Sequence, residues 1–269
     1  MINFFLRKQY AKIFSKNKIL KKINNRVFDY ALHAKGYNNW ENFTESGEKF
    51  FLKKFLSHKS VNLCIDIGAN NGNYTKLLLK ETVAKVIAFE PLPFKYLEMV
   101  QNLSEYADRC TFVNKGVGVQ TETLKLHYDE KESELASFSE EVKNVSYIDN
   151  NSALDVDVIS LDEYCSLNQI SEIDLIKIDT EGFEKEVFEG AKQTYSKIQP
   201  KFIQIEYNWH QLFRNTSLYY FADKLPNYDV YQLTYNGMMK VDAKHPFSNI
   251  YIFSNFVFIR KDISKQISY

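Results

Sequence analysis

Several features that would place this chain quickly are missing from it. No apolar run approaches the roughly 18 residues of a membrane span. The opening Phe4-Phe5-Leu6 is too short for the apolar core of an export signal, and its basic residues follow it rather than precede it. A cytoplasmic protein is therefore expected. Cysteine is scarce: Cys64, Cys110 and Cys165 are odd in number, far apart and set in apolar or strand-like contexts. That excludes a disulfide framework and reads as reduced core thiols. Net charge is absent too, since 34 Lys and Arg balance 34 Asp and Glu, which argues against a general nucleic-acid binder. No internal repeat or long low-complexity tract appears. The 269 residues suffice for one α/β domain with additions, and a core of that size needs no metal or disulfide support.

Glycine is missing from two informative places. The stretch Cys64-Ile65-Asp66-Ile67-Gly68-Ala69-Asn70-Asn71-Gly72-Asn73-Tyr74-Thr75 reads as a strand, a nucleoside-binding turn and a helix start. Glu90 ends the next apolar run, Val86 to Phe89, where a parallel neighbouring strand would set a carboxylate against a ribose. A dinucleotide fingerprint wants glycine at the first, third and sixth turn positions so that the backbone can approach a pyrophosphate. Those positions hold Gly68, Asn70 and Asn73. A cofactor without phosphates, carrying adenosine and a small zwitterionic tail, fits better, and S-adenosylmethionine is such a molecule. The rival reading, an NAD-dependent oxidoreductase, fails at Asn70 and Asn73.

Three blocks carry a resemblance: Asp66-Ile67-Gly68-Ala69-Asn70 with Gly72 and Tyr74-Thr75; Phe89-Glu90-Pro91 with Pro93; and Lys177-Ile178-Asp179-Thr180-Glu181-Gly182 with Glu184, Val187-Phe188 and Gly190-Ala191. Together they resemble the signature blocks of the FkbM-type methyltransferases, from about Val61 to about Tyr207. The resemblance implies a class I methyltransferase (Rossmann-like) fold: a mostly parallel seven-stranded sheet with helices on both faces. It also implies O-methylation with S-adenosylmethionine, S-adenosylhomocysteine being the product. The expected acceptor is a hydroxyl of a sugar or nucleotide-linked sugar in surface polysaccharide biosynthesis. A non-sugar metabolite and a catalytically silent cofactor-binding subunit are the alternatives, the latter opposed by the retention of Asp179, Glu181 and Glu206.

Expected cofactor contacts follow from the blocks. Gly68 and Gly72 admit the methionine portion, with Ala69 and Pro91 in the same blocks, while Asn70, Tyr74 and Thr75 offer polar contacts at the helix opening. Glu90 accepts from the ribose hydroxyls. Asp66 follows apolar strand residues, so donors must meet it; turn amides or the cofactor's ammonium would supply them. Asn114 and Ser137 are expected beside the adenine.

Strand parity points to the chemistry. Leu175, Lys177 and Asp179 share one face of a strand, as do Phe202, Gln204, Glu206 and Asn208 on its neighbour. Asp179 and Glu206 should meet beneath the transferred methyl, with Lys177 paired to Asp179, Glu206 or Asp66. His210, just past the second of these strands, is the expected general base, while Asp179 and Glu206 orient the acceptor or polarise that base. Those carboxylates with Asn208 could instead hold Mg²⁺; a divalent metal is not favoured, and no metal ligand is assigned.

The expected organisation is an N-terminal helical extension over 1–58, the methyltransferase domain over 59–262 and a tail over 263–269. Between Met1 and Lys35 nine basic residues stand against Asp29, interleaved with apolar residues at helical spacing. This segment is expected to pack on the domain or on a second subunit, making a homo-oligomer possible, rather than on an anionic membrane. A helix over Glu45–Leu56 is expected, capped by Thr44. Strands are expected at Leu63–Ile67, Lys85–Glu90, Cys110–Asn114, Asp155–Ser160, Leu175–Asp179, Phe202–Tyr207, Val230–Thr234 and near Ile250–Ile259. Helices should fill Tyr74–Lys80, Pro93–Ser104, Leu161–Cys165, Phe183–Lys197 and Leu218–Leu225. Asn236-Gly237 signals a two-residue hairpin. Gly118 to Asp155 reads as a partly mobile loop near the adenine, holding an extra strand around Leu124–Tyr128.

Overall fold

The computed structural model describes residues 2–57, 61–129, 136–138 and 150–267. Five strands form its parallel centre: β1 (Leu63–Ile67), β2 (Lys85–Phe89), β3 (Cys110–Val113), β7 (Leu175–Ile178) and β8 (Phe202–Tyr207). Antiparallel strands β9 (Tyr228–Thr234), β10 (Gly237–Val241) and β11 (Ser254–Arg260) complete a sheet of eight, in the order β10-β9-β11-β8-β7-β1-β2-β3. The eighth strand is β10, supplied by the hairpin. The hairpin loop is Tyr235-Asn236, one residue earlier than expected, because Gly237 already pairs with Thr234. Asn236 takes the left-handed backbone there, at φ +51°.

Strand order reverses between β1 and β7, so the chain leaves this line in opposite directions. Such a switch point opens a crevice at the strands' carboxyl ends, where open α/β sheets bind ligands. The strands read as mostly apolar runs because both faces are covered, broken on one face by Asp66, Lys177 and Gln204. Ile65, Ile87, Ile176 and Ile203 enter one apolar layer, and Cys64, Val86, Leu175 and Phe202 the other. All three cysteines are buried free thiols.

The strand expected at Asp155–Ser160 exists but starts earlier and lies elsewhere. As β6 (Ser152–Ser160) it joins β4 (Gly116–Gly118) and β5 (Glu122–Tyr128) in a separate three-stranded sheet. The loop expected over Gly118–Asp155 thus holds parts of this sheet, and most of its remainder lies outside the described residues. Helix α4 (Asn73–Glu81) follows the β1 turn, and α5 (Pro93–Asn102) follows β2 with proline in its first turn. The expected helix Phe183–Lys197 is broken. α7 spans Glu184–Glu189 and a π-helical stretch follows over Thr194–Ile198; between them Gly190 packs against β4, where a Cβ would stand 1.9 Å from Gly118 O. The helix after Thr44 starts later as well. α3 (Glu48–Phe51) is preceded by Gly47, and the Thr44 and Glu45 amides donate instead to Asn42 Oδ1.

At the N-terminus α1 (Ile2–Phe14) and α2 (Lys18–Ala34) form a helical hairpin, joined by the Tyr10 hydroxyl donating to Asn24 Oδ1 at 2.6 Å. Of the two surfaces expected to cover it, the chain's own domain does not: no residue from 4 to 31 is buried. The boundary expected at 58/59 falls outside the described residues. At the other end, α10 (Lys261–Ser264) crosses the boundary expected at 262/263 and is not a free tail. Ser264 is buried, with its hydroxyl 2.9 Å from that of Tyr231. Among the described residues no helix is long and apolar enough to cross a membrane.

Candidate active site

The turn after β1 is built by glycine at positive φ and by a close approach. Gly68 lies at φ +84°, and a Cβ there would sit 1.8 Å from Asp179 O, so the backbone beyond β7 touches this turn directly. The Gly68 and Ala69 amides donate to Phe89 O, tying the turn to the end of β2. Gly72, also at φ +84°, faces Met99 and Leu103. It fits α4 against α5 and lines neither of the two chambers that meet at the turn.

The first chamber has apolar walls that include Phe89, Val117, Leu126 and Phe138, with Glu90, Pro91 and Asn70 among its polar or backbone surfaces. The second is lined by Trp40, Phe43, Glu48, Asp66, Ala69, Tyr74, Lys177, Glu206 and Asn255 among others. Gly68, Asn70 and Asp179 belong to both linings. The paired sheet registers explain the second chamber's floor. Asp66 stands opposite Lys177, and Lys177 opposite Gln204, so one polar row crosses three strands on one face.

In the first chamber Glu90 accepts from the amides of Asn70 and Leu92, each at 2.8 Å. Burial still pushes its carboxyl up to about 7. Each oxygen keeps a further lone pair for a diol. Asn70 Oδ1 is buried and has no hydrogen-bond partner among the described residues. Asn114 does not line the chamber. Its amide nitrogen donates to Glu90 O and Pro91 O and so fixes that backbone from behind. Ser137 lies between two lining residues, Ala136 and Phe138, while its own hydroxyl donates to Glu181 O at 2.6 Å.

The second chamber is a carboxylate cluster around one cation. Lys177 is buried with its ammonium 2.7 Å from Asp179 Oδ2. Burial pulls its pKa down, but Asp179, Glu48, Glu206 and Asp66 outweigh it and raise it overall. Asp66 is met by the Thr75 hydroxyl at 2.6 Å, a helix side chain in place of the expected turn amides. Burial raises Asp66 to about 6, against the opposing pull of Lys177 and Thr75. Thr75 and Tyr74 are thus committed inward, the Tyr74 hydroxyl donating to Gln204 Oε1 at 2.8 Å. Glu206 accepts from Asn208 Nδ2 at 2.7 Å and is raised well above the carboxylate range by burial, Asp179 and Glu181. Asp179, Glu181 and Glu206 each bring one oxygen within 4.8 Å of the others.

Glu181 is placed by its neighbour. Glu184 caps the turn, its Oε1 accepting from the Thr180 amide, the Thr180 hydroxyl and the Gly182 amide. Glu181 is left at φ +51°, a left-handed conformation for a residue with a Cβ, and such strain gathers at functional sites. His210 opens α8 (His210–Phe213), where its amide donates to Asn208 Oδ1. Its ring is 1% exposed and lines neither chamber. Nδ1 stands 3.2 Å from Glu181 Oε2 without the alignment of a hydrogen bond. Burial pulls its pKa down to about 3, so the ring is neutral near pH 7.

Glu48, Gln204 and Asn255 escaped assignment from sequence. Gln204 donates to both Glu48 Oε1 and Asn255 Oδ1, at 2.8 and 2.9 Å. Only Gln204 left a signal, by sharing a strand face with Glu206.

A five-stranded parallel centre, an antiparallel strand inserted beside β8, and a glycine turn facing a strand-end acid define a class I methyltransferase architecture. The model of the methyltransferase FkbM domain matches residues 66–232. The chain belongs to that family, and S-adenosylmethionine is its cofactor. Over 186 residues it is 26% identical to 2-O-methyltransferase NoeI of Sinorhizobium fredii (strain NBRC 101917 / NGR234), covering 65% of this chain and 75% of that protein. Among solved structures, the METTL16 methyltransferase domain aligns at a TM-score of 0.45 and 10% identity, over 78% of this chain and 65% of that one. A putative rRNA methylase from Clostridium thermocellum aligns at 0.44 and 10%, over 79% and 92%. SMU.1697c of Streptococcus mutans, a putative methyltransferase in complex with S-adenosylhomocysteine, aligns at 0.43 and 12%, over 78% and 96%.

Proposed function

We propose that this protein is an O-methyltransferase acting on a hydroxyl of a sugar or nucleotide-linked sugar, in the building of surface polysaccharide. The observation that carries the reading is the meeting of two unlike chambers at Gly68, Asn70 and Asp179. One is apolar with a strand-end acid, suited to an adenosine. The other combines hydrogen-bonding side chains with Trp40 and Phe43, the mixture that a polyhydroxylated ring takes up by stacking and hydrogen bonding.

The residues present fit the cofactor. Glu90 would accept from the ribose diol, and Asn70 Oδ1, buried without a partner among the described residues, is an acceptor suited to the ammonium of the methionine portion. When bound, the cofactor supplies a methyl group on a positively charged sulfur. The chain's own task is then to hold an acceptor oxygen in line and remove its proton. Asp179 and Glu206 are the groups for this, facing the second chamber where it borders the first. Lys177 pins Asp179, and burial together with crowding by like charge raises Glu206, which makes its ionised form the stronger base. His210 takes part from behind Glu181 as a positioning residue.

The test is methyl transfer from S-adenosylmethionine across a panel of nucleotide sugars and free glycosides, read as the mass gain of one methyl group. Methylated sugar hydroxyls support the reading. Transfer confined to non-sugar hydroxyls, or to nitrogen, overturns it.

A further inference from the structure

The hairpin α1–α2 leaves its apolar residues outside. In α2, Ile19, Ile23, Val27 and Tyr30 recur along one stripe and are 68, 45, 51 and 69% exposed. Lys18, Lys22 and Arg26, each one position before a residue of that stripe, border it along one flank at intervals of four residues. Phe5, Leu6 and Ile13 are likewise exposed in α1, among Arg7, Lys8 and Lys12. A hairpin with an apolar and a basic flank, in which no residue from 4 to 31 is buried, gains little from the domain it is attached to.

Its attachment is nevertheless firm. Just past α2 the Tyr37 hydroxyl donates to Phe247 O at 2.7 Å and the Ser254 hydroxyl to Gly36 O at 2.7 Å. The Asn38 amide donates to Phe253 O, and Phe253 and Trp40 both line the second chamber. The hairpin is therefore rooted at the rim of that chamber.

Charge selects the occupant. Nine basic residues against Asp29 fall within the first 35 residues of a chain whose total is zero, so the remainder is acidic by the same excess. A second copy would bring a hairpin of the same sign, so two hairpins would repel each other rather than pair. A nucleic acid would meet the lysines and leave the aliphatic stripe in water. An anionic bilayer meets both sides, with apolar side chains at the headgroup boundary and basic ones on lipid phosphates, while the acidic body is repelled from the surface. We propose that the α1–α2 hairpin binds an anionic phospholipid surface.

The experiment is co-sedimentation of the full chain with vesicles of phosphatidylcholine alone and of phosphatidylcholine with phosphatidylglycerol, at several salt concentrations. Binding is expected only to the anionic vesicles and should weaken as salt rises. Replacing Lys18, Lys22 and Arg26 together by Glu should weaken it roughly a hundredfold or more. Ile23→Ser with Val27→Ser should weaken it roughly tenfold. These side chains are exposed, so the thermal shift given by S-adenosylhomocysteine should be unchanged and serves as the folding control. No sedimentation with anionic vesicles overturns the proposal. So does a dimer, seen by light scattering, that Ile23→Ser dissociates, and so does binding to an RNA oligonucleotide that Ile23→Ser leaves intact.

Discussion

Lys177 holds its ammonium 2.7 Å from the Asp179 carboxylate, two residues further along the chain on the same face. It is a buried cation at the centre of the second chamber, with Glu48, Asp66 and Glu206 around it. Removing one member of such a pair strands the other charge, which typically costs about 3–5 kcal/mol. Lys177→Met should therefore lower the melting temperature by several degrees. Lys177→Met with Asp179→Asn should recover part of the loss. A double-mutant cycle of thermal unfolding measures this, and additive losses would show that the pair is not coupled.

Glu90 gives a pH dependence with a definite sign. Its folded pKa is raised to about 7 by burial, so the folded protein without cofactor holds a proton that the unfolded chain has lost. The stabilisation from this proton is fully present below the ordinary glutamate range and is lost as pH rises through about 7. Ribose hydroxyls donate to the charged form, so affinity for S-adenosylhomocysteine should rise over the same interval. Titration calorimetry at a series of pH values should show the rise in the native protein and a flattened profile in Glu90→Gln, with affinity reduced roughly tenfold. An unchanged affinity in Glu90→Gln would remove this residue from the ribose.

The parts legible in the sequence were those written in short-range periodicity. Mostly apolar runs mark the parallel strands, and parity along two of them puts Lys177, Asp179, Gln204 and Glu206 on one side of the sheet. What periodicity could not carry was contact between distant segments. Glu48 reaches the chamber only because α3 packs beside Gln204, 156 residues away in sequence. The expected long helix after Phe183 breaks where Gly190 meets Gly118. His210 follows a strand correctly identified, but the direction of the loop beyond it buries the ring against Glu181. In the N-terminal hairpin the amphipathic pattern was plain, whereas the surface it serves is not encoded by spacing.

Gly68 should tolerate no side chain. A Cβ would stand 1.8 Å from Asp179 O at a φ of +84°, so both the contact and the conformation resist alanine. The neighbour is backbone and cannot swing away. Gly68→Ala should cost about 2 kcal/mol or more and lower the melting temperature by roughly 4–8 °C. It should also abolish the thermal shift given by S-adenosylhomocysteine, since the turn divides the two chambers. A melting temperature within a degree of the native protein would mean that the turn can move away from the end of β7.

Removal of the acceptor proton separates the roles of Glu206 and His210. A sugar hydroxyl does not ionise at neutral pH unaided, and a positioned base typically contributes ~10²–10⁴ in rate. Glu206 lies on the chamber, and burial with Asp179 and Glu181 beside it raises its pKa well above the ordinary range. His210 is off the chamber, with its pKa pulled down to about 3. Glu206→Gln should therefore lower kcat by roughly a hundredfold or more while the affinity for S-adenosylhomocysteine stays within a few fold. His210→Gln should lower kcat by less than tenfold and leave the shape of the pH profile of kcat unchanged. A collapse confined to His210→Gln would return the base to the imidazole. Chelation gives the remaining arm, because Asp179, Glu181 and Glu206 are close enough together to share a divalent cation. With Lys177 already supplying positive charge beside Asp179, turnover should survive EDTA; loss that Mg²⁺ restores would make these carboxylates metal ligands instead.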